Sequence, residues 1–189
     1  MLGRVKQWWL NLLYVMGSRW HDAPNPLVVY LIGSLRNPQV PRIAAKLRRA
    51  GFEVFDEWHS VGSRADDHFR DYERARGHKM AEALQSWEAK HIFEFDRTHL
   101  MRADVVVLVL PCGKSGHLEL GWALGRGKRG YVLQQVEPAR FDIMYQFADG
   151  VFRTVPQLVE ALRLPAGRVD GPPLAHLPQP VSGRDGELD

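Results

Sequence analysis

The stretch Gly116-His117-Leu118-Glu119-Leu120-Gly121-Trp122-Ala123-Leu124-Gly125 sets one carboxylate, Glu119, behind a Gly/Ser turn at the start of an apolar helix. It follows the run Ala103-Asp104-Val105-Val106-Val107-Leu108-Val109-Leu110, which is short, β-branched and bounded by Pro111 and Gly113, as a buried parallel strand is. Strand, turn and helix in that order put Glu119 in the helix's first turn, at the carboxyl edge of a sheet where open α/β folds bind their ligands. The free amides and dipole of a helix start favour a charged carboxylate by roughly 0.3–1 kcal/mol, so Glu119 is expected to be ionised. A fixed anion suits a reaction that develops positive charge.

Other residues of chemical interest surround this one. In Tyr30-Leu31-Ile32-Gly33-Ser34-Leu35-Arg36-Asn37 a strand runs into a Gly/Ser loop ahead of a helix. Gly33 permits close backbone approach, Ser34 offers a hydroxyl and amides, and Arg36 supplies a planar fork suited to phosphate. The turn is neither a Walker loop nor a GxGxxG fingerprint, and a Gly-Ser turn also serves as plain loop chemistry. Ser115 and Gly116 leave helix amides open to an anion or a sugar hydroxyl, and Ser115 is equally compatible with an N-cap. Asp96, near a helix end, reads by itself as a solvated carboxylate. Trp58 can stack on a base or simply pack. Cys112 has no histidine placed to activate it and reads as a small packed residue. His59, His68, His78, His91, His99 and His117 are scattered, with neither HExxH nor paired cysteines, so neither a catalytic metal nor another cofactor is expected.

The elements that must hold these residues alternate. Residues 27–32 read as a first strand, and Val40, Ile43, Ala44, Leu47 and Ala50 fall at helical spacing before Gly51, which can cap the helix end. Residues 52–55 form a second strand, followed by a polar segment over 56–78. One long helix follows, with Met80, Leu84, Trp87, His91 and Phe95 on a shared face, delivering Asp96 just before the third strand. Residues 130–133 and 150–152 supply two more strands. A closing helix spans 154–163, with Thr154 as N-cap and Gln157 three positions on, as in a capping box. The expectation is an α/β fold: a flavodoxin-like or Rossmann-like parallel sheet of about five strands with helices on both faces.

At 189 residues the chain accommodates one well-buried domain, 26–163, flanked by an apolar helical extension (1–25) and a flexible Pro/Gly-rich tail (164–189). The apolar run 8–16 is far shorter than the roughly 20 residues that cross a bilayer, and Gly17-Ser18-Arg19-Trp20 is a poor signal cleavage site. It reads as a helix packed on the domain or on a partner subunit, ahead of membrane-surface attachment. The net charge of +3 is modest, and Arg42, Lys46, Arg48 and Arg49 form a solvated helix face without interleaved aromatics, so no nucleic-acid polymer is expected as a partner. Cys112, the single cysteine, cannot form an intrachain disulfide, which makes a cytoplasmic setting the default.

Taken in order, Tyr30 through Arg36, Asp96 ahead of Ala103-Asp104-Val105, and Ser115-Gly116-His117-Leu118-Glu119-Leu120-Gly121 resemble the nucleoside 2-deoxyribosyltransferase superfamily. The Gly33-Ser34-Leu35-Arg36 turn is most similar to that of the 2'-deoxynucleoside 5'-phosphate N-hydrolases. The resemblance spans residues 27–133. It implies that Glu119 is the nucleophile at the anomeric carbon, that Tyr30 orients it, and that Asp96 helps protonate the departing base. Gly33, Ser34, Arg36, Ser115 and Gly116 would contact sugar or phosphate. The 56–78 insertion has no counterpart in the resemblance; read from its own residues it shapes the base pocket, with Trp58 placed to stack on a base. Members of the superfamily complete their sites with a neighbouring subunit, which implies a homo-oligomer.

Bottom-up chemistry agrees with the resemblance. Breaking an N-glycosidic bond passes through an oxocarbenium-like state, which asks for an anionic carboxylate under the sugar and a proton donor at the leaving group. For Asp96 to hold a proton near neutral pH, burial or a neighbouring anion must raise its pKa. Two other readings are kept: a TIR-like NAD glycohydrolase, which also uses a glutamate on such a sheet, and a nucleotide-binding module without turnover.

Overall fold

A computed structural model describes residues 26–165; the expected extension 1–25 and the tail beyond residue 165 lie outside the described residues. Along the described chain run β1 (Val28–Ile32), α1 (Gln39–Arg49), β2 (Glu53–Phe55), a 3-10 turn (Glu57–Val61), α2 (Ala65–Ala75), the one-turn α3 (Met80–Ala83) and α4 (Trp87–Arg102). Then come β3 (Val105–Val109), α5 (Lys114–Gly125), β4 (Arg129–Leu133), a second 3-10 turn (Ile143–Phe147), β5 (Gly150–Phe152) and α6 (Val155–Arg163). All five strands are parallel, in the order β2-β1-β3-β4-β5. This is the expected α/β Rossmann-like arrangement.

The sheet is covered on both faces because its strands are apolar on both sides. All five residues of β3 are buried, the pattern of a central parallel strand. Alternation along β1 divides the core in two. Val29 and Leu31 pack with Val40, Ile43 and Leu47 of α1 and Leu158 and Leu162 of α6. Tyr30 and Ile32 point the other way, toward Leu100 of α4 and Leu120 and Ala123 of α5. Tyr30 therefore lies on the face covered by the two helices that carry Asp96 and Glu119.

Turn chemistry agrees with the sequence at several ends. Gly51, with φ of +99°, closes α1. At α6 the Gln157 amide N–H donates to Thr154 Oγ1 at 3.4 Å, while the Gln157 side chain accepts from the Thr154 amide at 3.1 Å, the reciprocal box that the residue types imply.

The single long helix expected after residue 79 is two helices. Ser86 interrupts it, accepting from the Ala89 amide at 3.2 Å and capping a new start at Trp87. The supposed core face does not pack either, since Met80, Leu84, Trp87 and Phe95 are all exposed and Leu100 is the buried residue of α4. The 56–78 segment forms the first 3-10 turn and α2, pinned by Glu73, which is 1% exposed and meets His78 Nδ1 at 2.5 Å and Arg76 Nη1 at 3.2 Å. No helix among the described residues is long and apolar enough to cross a membrane.

Gly116 fixes how closely α5 approaches the sheet. A Cβ at this buried position would meet the Cys112 sulfur, lie 2.9 Å from Ile32 and come within 3.3 Å of Leu108. Replacing Gly116 with Ala should therefore destabilise the fold by about 1–3 kcal/mol through overpacking, measured by urea unfolding; an unchanged midpoint would refute this account of the helix seat.

Candidate active site

Three titratable side chains from three elements meet on the α4/α5 face. Tyr30 is supplied by β1, Asp96 by α4 and Glu119 by α5. The Tyr30 hydroxyl lies close enough to Glu119 to lower the acid's pKa as a hydrogen-bonding neighbour, and the charges of Glu119 and Asp96 both bear on the phenol. Burial first, then these two anions, push the Tyr30 pKa far above its ordinary value, so it stays a neutral donor. Its ring is held by Phe55, stacked at 5.1 Å, which is in turn stacked on His99 at 3.9 Å.

The two carboxyl groups are both shifted upward. Burial raises Asp96 to about 6. Burial first, then the Asp96 charge, raise Glu119 to about 7 against the opposing hydrogen bond from Tyr30. This corrects the expectation of a carboxylate kept ionised by a helix start. α5 begins at Lys114 with Gly113 as its N-cap, so Glu119 sits in the second turn rather than the first, beyond the short reach of the terminal amides. Between pH 6 and 7 the pair shares one proton. Because the higher value belongs to Glu119, that proton rests mostly there; the arrangement that nucleophilic attack with leaving-group protonation requires, Glu119 ionised and Asp96 protonated, is the minor one, about a tenth of the one-proton pair.

The expected phosphate turn follows directly on β1 and is tied to the loop that leads into α5. Asn37, buried and not anticipated from the sequence, donates from Nδ2 to the Pro111 carbonyl at 3.3 Å and accepts from the Gln39 amide at 3.0 Å. Ser34 Oγ accepts from the Arg36 amide at 3.2 Å. Gly33 is required by contact, since a Cβ there would lie 2.7 Å from Val40 and 3.3 Å from Trp58. The Trp58 indole N–H donates to the Leu31 carbonyl at 2.8 Å, so the ring is pinned over this turn and is packed, whatever else it touches. Arg36 is engaged by Asp67 of α2 at 2.8 Å, a partner from the insertion that spacing alone does not reveal.

At the start of α5, Ser115 is exposed in the helix's first turn and makes no capping bond, which corrects its reading as an N-cap. Gly116 is buried against Ile32 and Leu108, so its smallness serves packing. Burial and then the Glu119 charge push the Cys112 pKa up, against the opposing pull of the nearby Gly113 and Gly116 amides, which keeps it a thiol. His117 was not singled out from the sequence; its ring bridges the Gly113 carbonyl at 2.8 Å and the Tyr145 hydroxyl at 2.9 Å, fastening the 143–147 turn beside the α5 start. Among the described residues, no cluster of three or more His, Cys, Asp or Glu is arranged to hold a metal ion.

No protein-family model matches the chain, and no curated protein matches it. Among solved structures, it is similar to a 2-deoxyribosyltransferase from Bacillus psychrosaccharolyticus, with 16% identity and a TM-score of 0.48 over 71% of this chain and 95% of that one. It is also similar to the CMP N-glycosidase BcmB of Clostridium botulinum, with 14% identity and a TM-score of 0.42 over 72% of this chain and 99% of that one.

A carboxyl whose folded pKa is raised favours folding while protonated. That contribution is complete below the ordinary value of 4.5 for Glu119 and is lost as pH rises through about 7. Glu119→Gln should therefore be more stable than the native protein at pH 8, by about 1–2 kcal/mol after allowing for partial exposure, and equal to it near pH 4.5. Thermal unfolding at both pH values provides the comparison, and a variant less stable at pH 8 would contradict the raised pKa.

Proposed function

We propose that the protein cleaves the N-glycosidic bond of a nucleoside or nucleoside 5'-monophosphate by way of a glutamate nucleophile. The observation that carries this reading is the pairing of Glu119 and Asp96, two carboxyls with pKa values raised to about 7 and about 6, beside the neutral hydroxyl of Tyr30. The motif resemblance supports the same roles.

In this mechanism the one-proton pair reacts from its minor arrangement, with Glu119 ionised and Asp96 protonated: the Glu119 carboxylate attacks C1' of the sugar while the C1'–N bond breaks, its electron pair passing to the base nitrogen. Asp96 delivers its proton to the departing base. Tyr30 donates to Glu119 and holds the attacking oxygen in line, and its neutral hydroxyl places no third negative charge in the site. The glycosyl ester on Glu119 then meets water, giving hydrolysis, or a second base, giving transfer. Either acceptor loses a proton to the Asp96 carboxylate as it attacks, which restores the starting state. Ser34, Arg36 and Ser115 would bind the sugar or its phosphate, and Trp58 would bound the base pocket. A neighbouring subunit would complete the site, making the working form a homo-oligomer.

Incubation with a panel of nucleosides, their 5'-monophosphates and NAD, followed by chromatography, tests the assignment. One free base should appear with the native protein, and Glu119→Gln should slow its release at least about a thousandfold. Nicotinamide release from NAD alone would favour an NAD glycohydrolase, and tight binding without any base release a non-catalytic module. For the active substrate, kcat/KM should follow a bell-shaped pH profile with limbs near 6 and 7. A rate that is flat from pH 5 to 8 would remove the shared-proton mechanism.

A further inference from the structure

The pairing of Arg36 with Asp67 joins the turn after β1 to the insertion helix α2. Arg36 Nη2 donates to Asp67 Oδ2 at 2.8 Å, and the other oxygen of the same carboxyl accepts from Arg70 Nη1 at 3.1 Å. The charge of Arg64 also bears on Asp67, and the hydrogen bond from Arg36 is the foremost reason that its carboxyl is held below the usual range. One carboxylate thus sits among three guanidinium groups. Its neighbour Asp66 is exposed and has no ion-pair partner among the described residues.

The Arg36 side chain is 66% exposed, and ion pairs that open to solvent contribute little to stability. The pair has a clearer consequence for recognition. Arg36 projects from the loop that Asn37 fastens to the β3–α5 connection, at the carboxyl edge where the candidate active site lies. A planar guanidinium there is the group best suited to grip a phosphate, and Asp67 already fills one of its donor directions. A substrate phosphate approaching Arg36 must displace this carboxylate or lie against it at the cost of like-charge repulsion.

We propose that Asp67 is a specificity-determining residue: its carboxylate stands where a substrate 5'-phosphate would meet Arg36, and so shifts the preference of the site from nucleoside 5'-monophosphates toward uncharged nucleosides. The insertion helix acts as the repulsive element that discriminates between two otherwise similar ligands. The inference rests on the nucleoside reading for its substrate class, but the competition for Arg36 is observable without turnover.

Inorganic phosphate, titrated at low ionic strength by calorimetry into the full-length protein, is the probe. Asp67→Asn should bind it roughly tenfold more tightly than the native protein, whereas Asp66→Asn, which removes the same charge from the adjacent position, should bind it as the native protein does. The gain should vanish in the double variant Arg36→Gln/Asp67→Asn. Circular dichroism establishes that each variant is folded, and Asp67→Ser replaces the asparagine variant if that one does not fold. Equal affinity in the Asp67 variant, an equal gain from Asp66→Asn, or a gain that survives loss of Arg36 would each overturn the inference. These outcomes are separate from those of the base-release panel. A tenfold gain with no base released by the native protein would leave the anion competition standing and remove the reaction, while base release without the gain would do the reverse.

Discussion

The arrangement depends on two partly buried carboxyl groups that bear on each other without a cation between them. Among the described residues neither Glu119 nor Asp96 has an Arg, Lys or His partner within ion-pair distance, while Asp56, Glu73, Asp67 and Glu94 all do. A carboxylate removed from water without a compensating charge answers by keeping its proton. The raised values of both groups follow from that, and so does the one-proton state near neutral pH. Tyr30 beside Glu119 lowers the acid's pKa as a neutral neighbour and brings no charge, so it steadies the anion without removing its basicity.

The surrounding fold supplies the precision this requires. Alternation in β1 sends Tyr30 to the α4/α5 face while Val29 and Leu31 anchor the strand to the opposite layer. Contact without room for a side chain at Gly116 and Gly33 sets the height of α5 and of the turn after β1. The Asn37 bond to Pro111 and the Trp58 bond to Leu31 then lock the two loops at the carboxyl edge to each other and to the sheet. Fully buried β3 is the rigid bar on which both adjoining elements rest. Catalytic geometry of this kind is most precise when its supports are themselves locked by packing and hydrogen bonds.

Much of this was legible in the sequence where local rules decide the outcome. The β-branched runs at 28–32 and 105–109 specify buried parallel strands, and Thr154 with Gln157 specifies the start of α6. Where two local rules compete, the sequence was ambiguous. The apolar spacing from Met80 to Phe95 favours one helix, but Ser86 can cap a new one and does, leaving much of the apparent core face exposed. At Glu119 the Gly113-Lys114-Ser115-Gly116 stretch permits helix starts at several positions; the earliest prevails and moves the carboxylate out of the first turn, and burial with the Asp96 charge, neither of them readable from local spacing, raises its pKa. Partners distant in sequence were out of reach: nothing in the spacing of Arg36 and Asp67 or of His117 and Tyr145 announces that they touch.

The central claim is a carboxyl pair sharing one proton near neutrality, and carbon-detected NMR titration of the side-chain carboxyls of Glu119 and Asp96 tests it most directly. Two groups should titrate near pH 6 and 7, and the Glu119 value should fall when Asp96→Asn removes the neighbouring charge. Ordinary titration of both groups near pH 4, or a Glu119 value indifferent to Asp96, would contradict it.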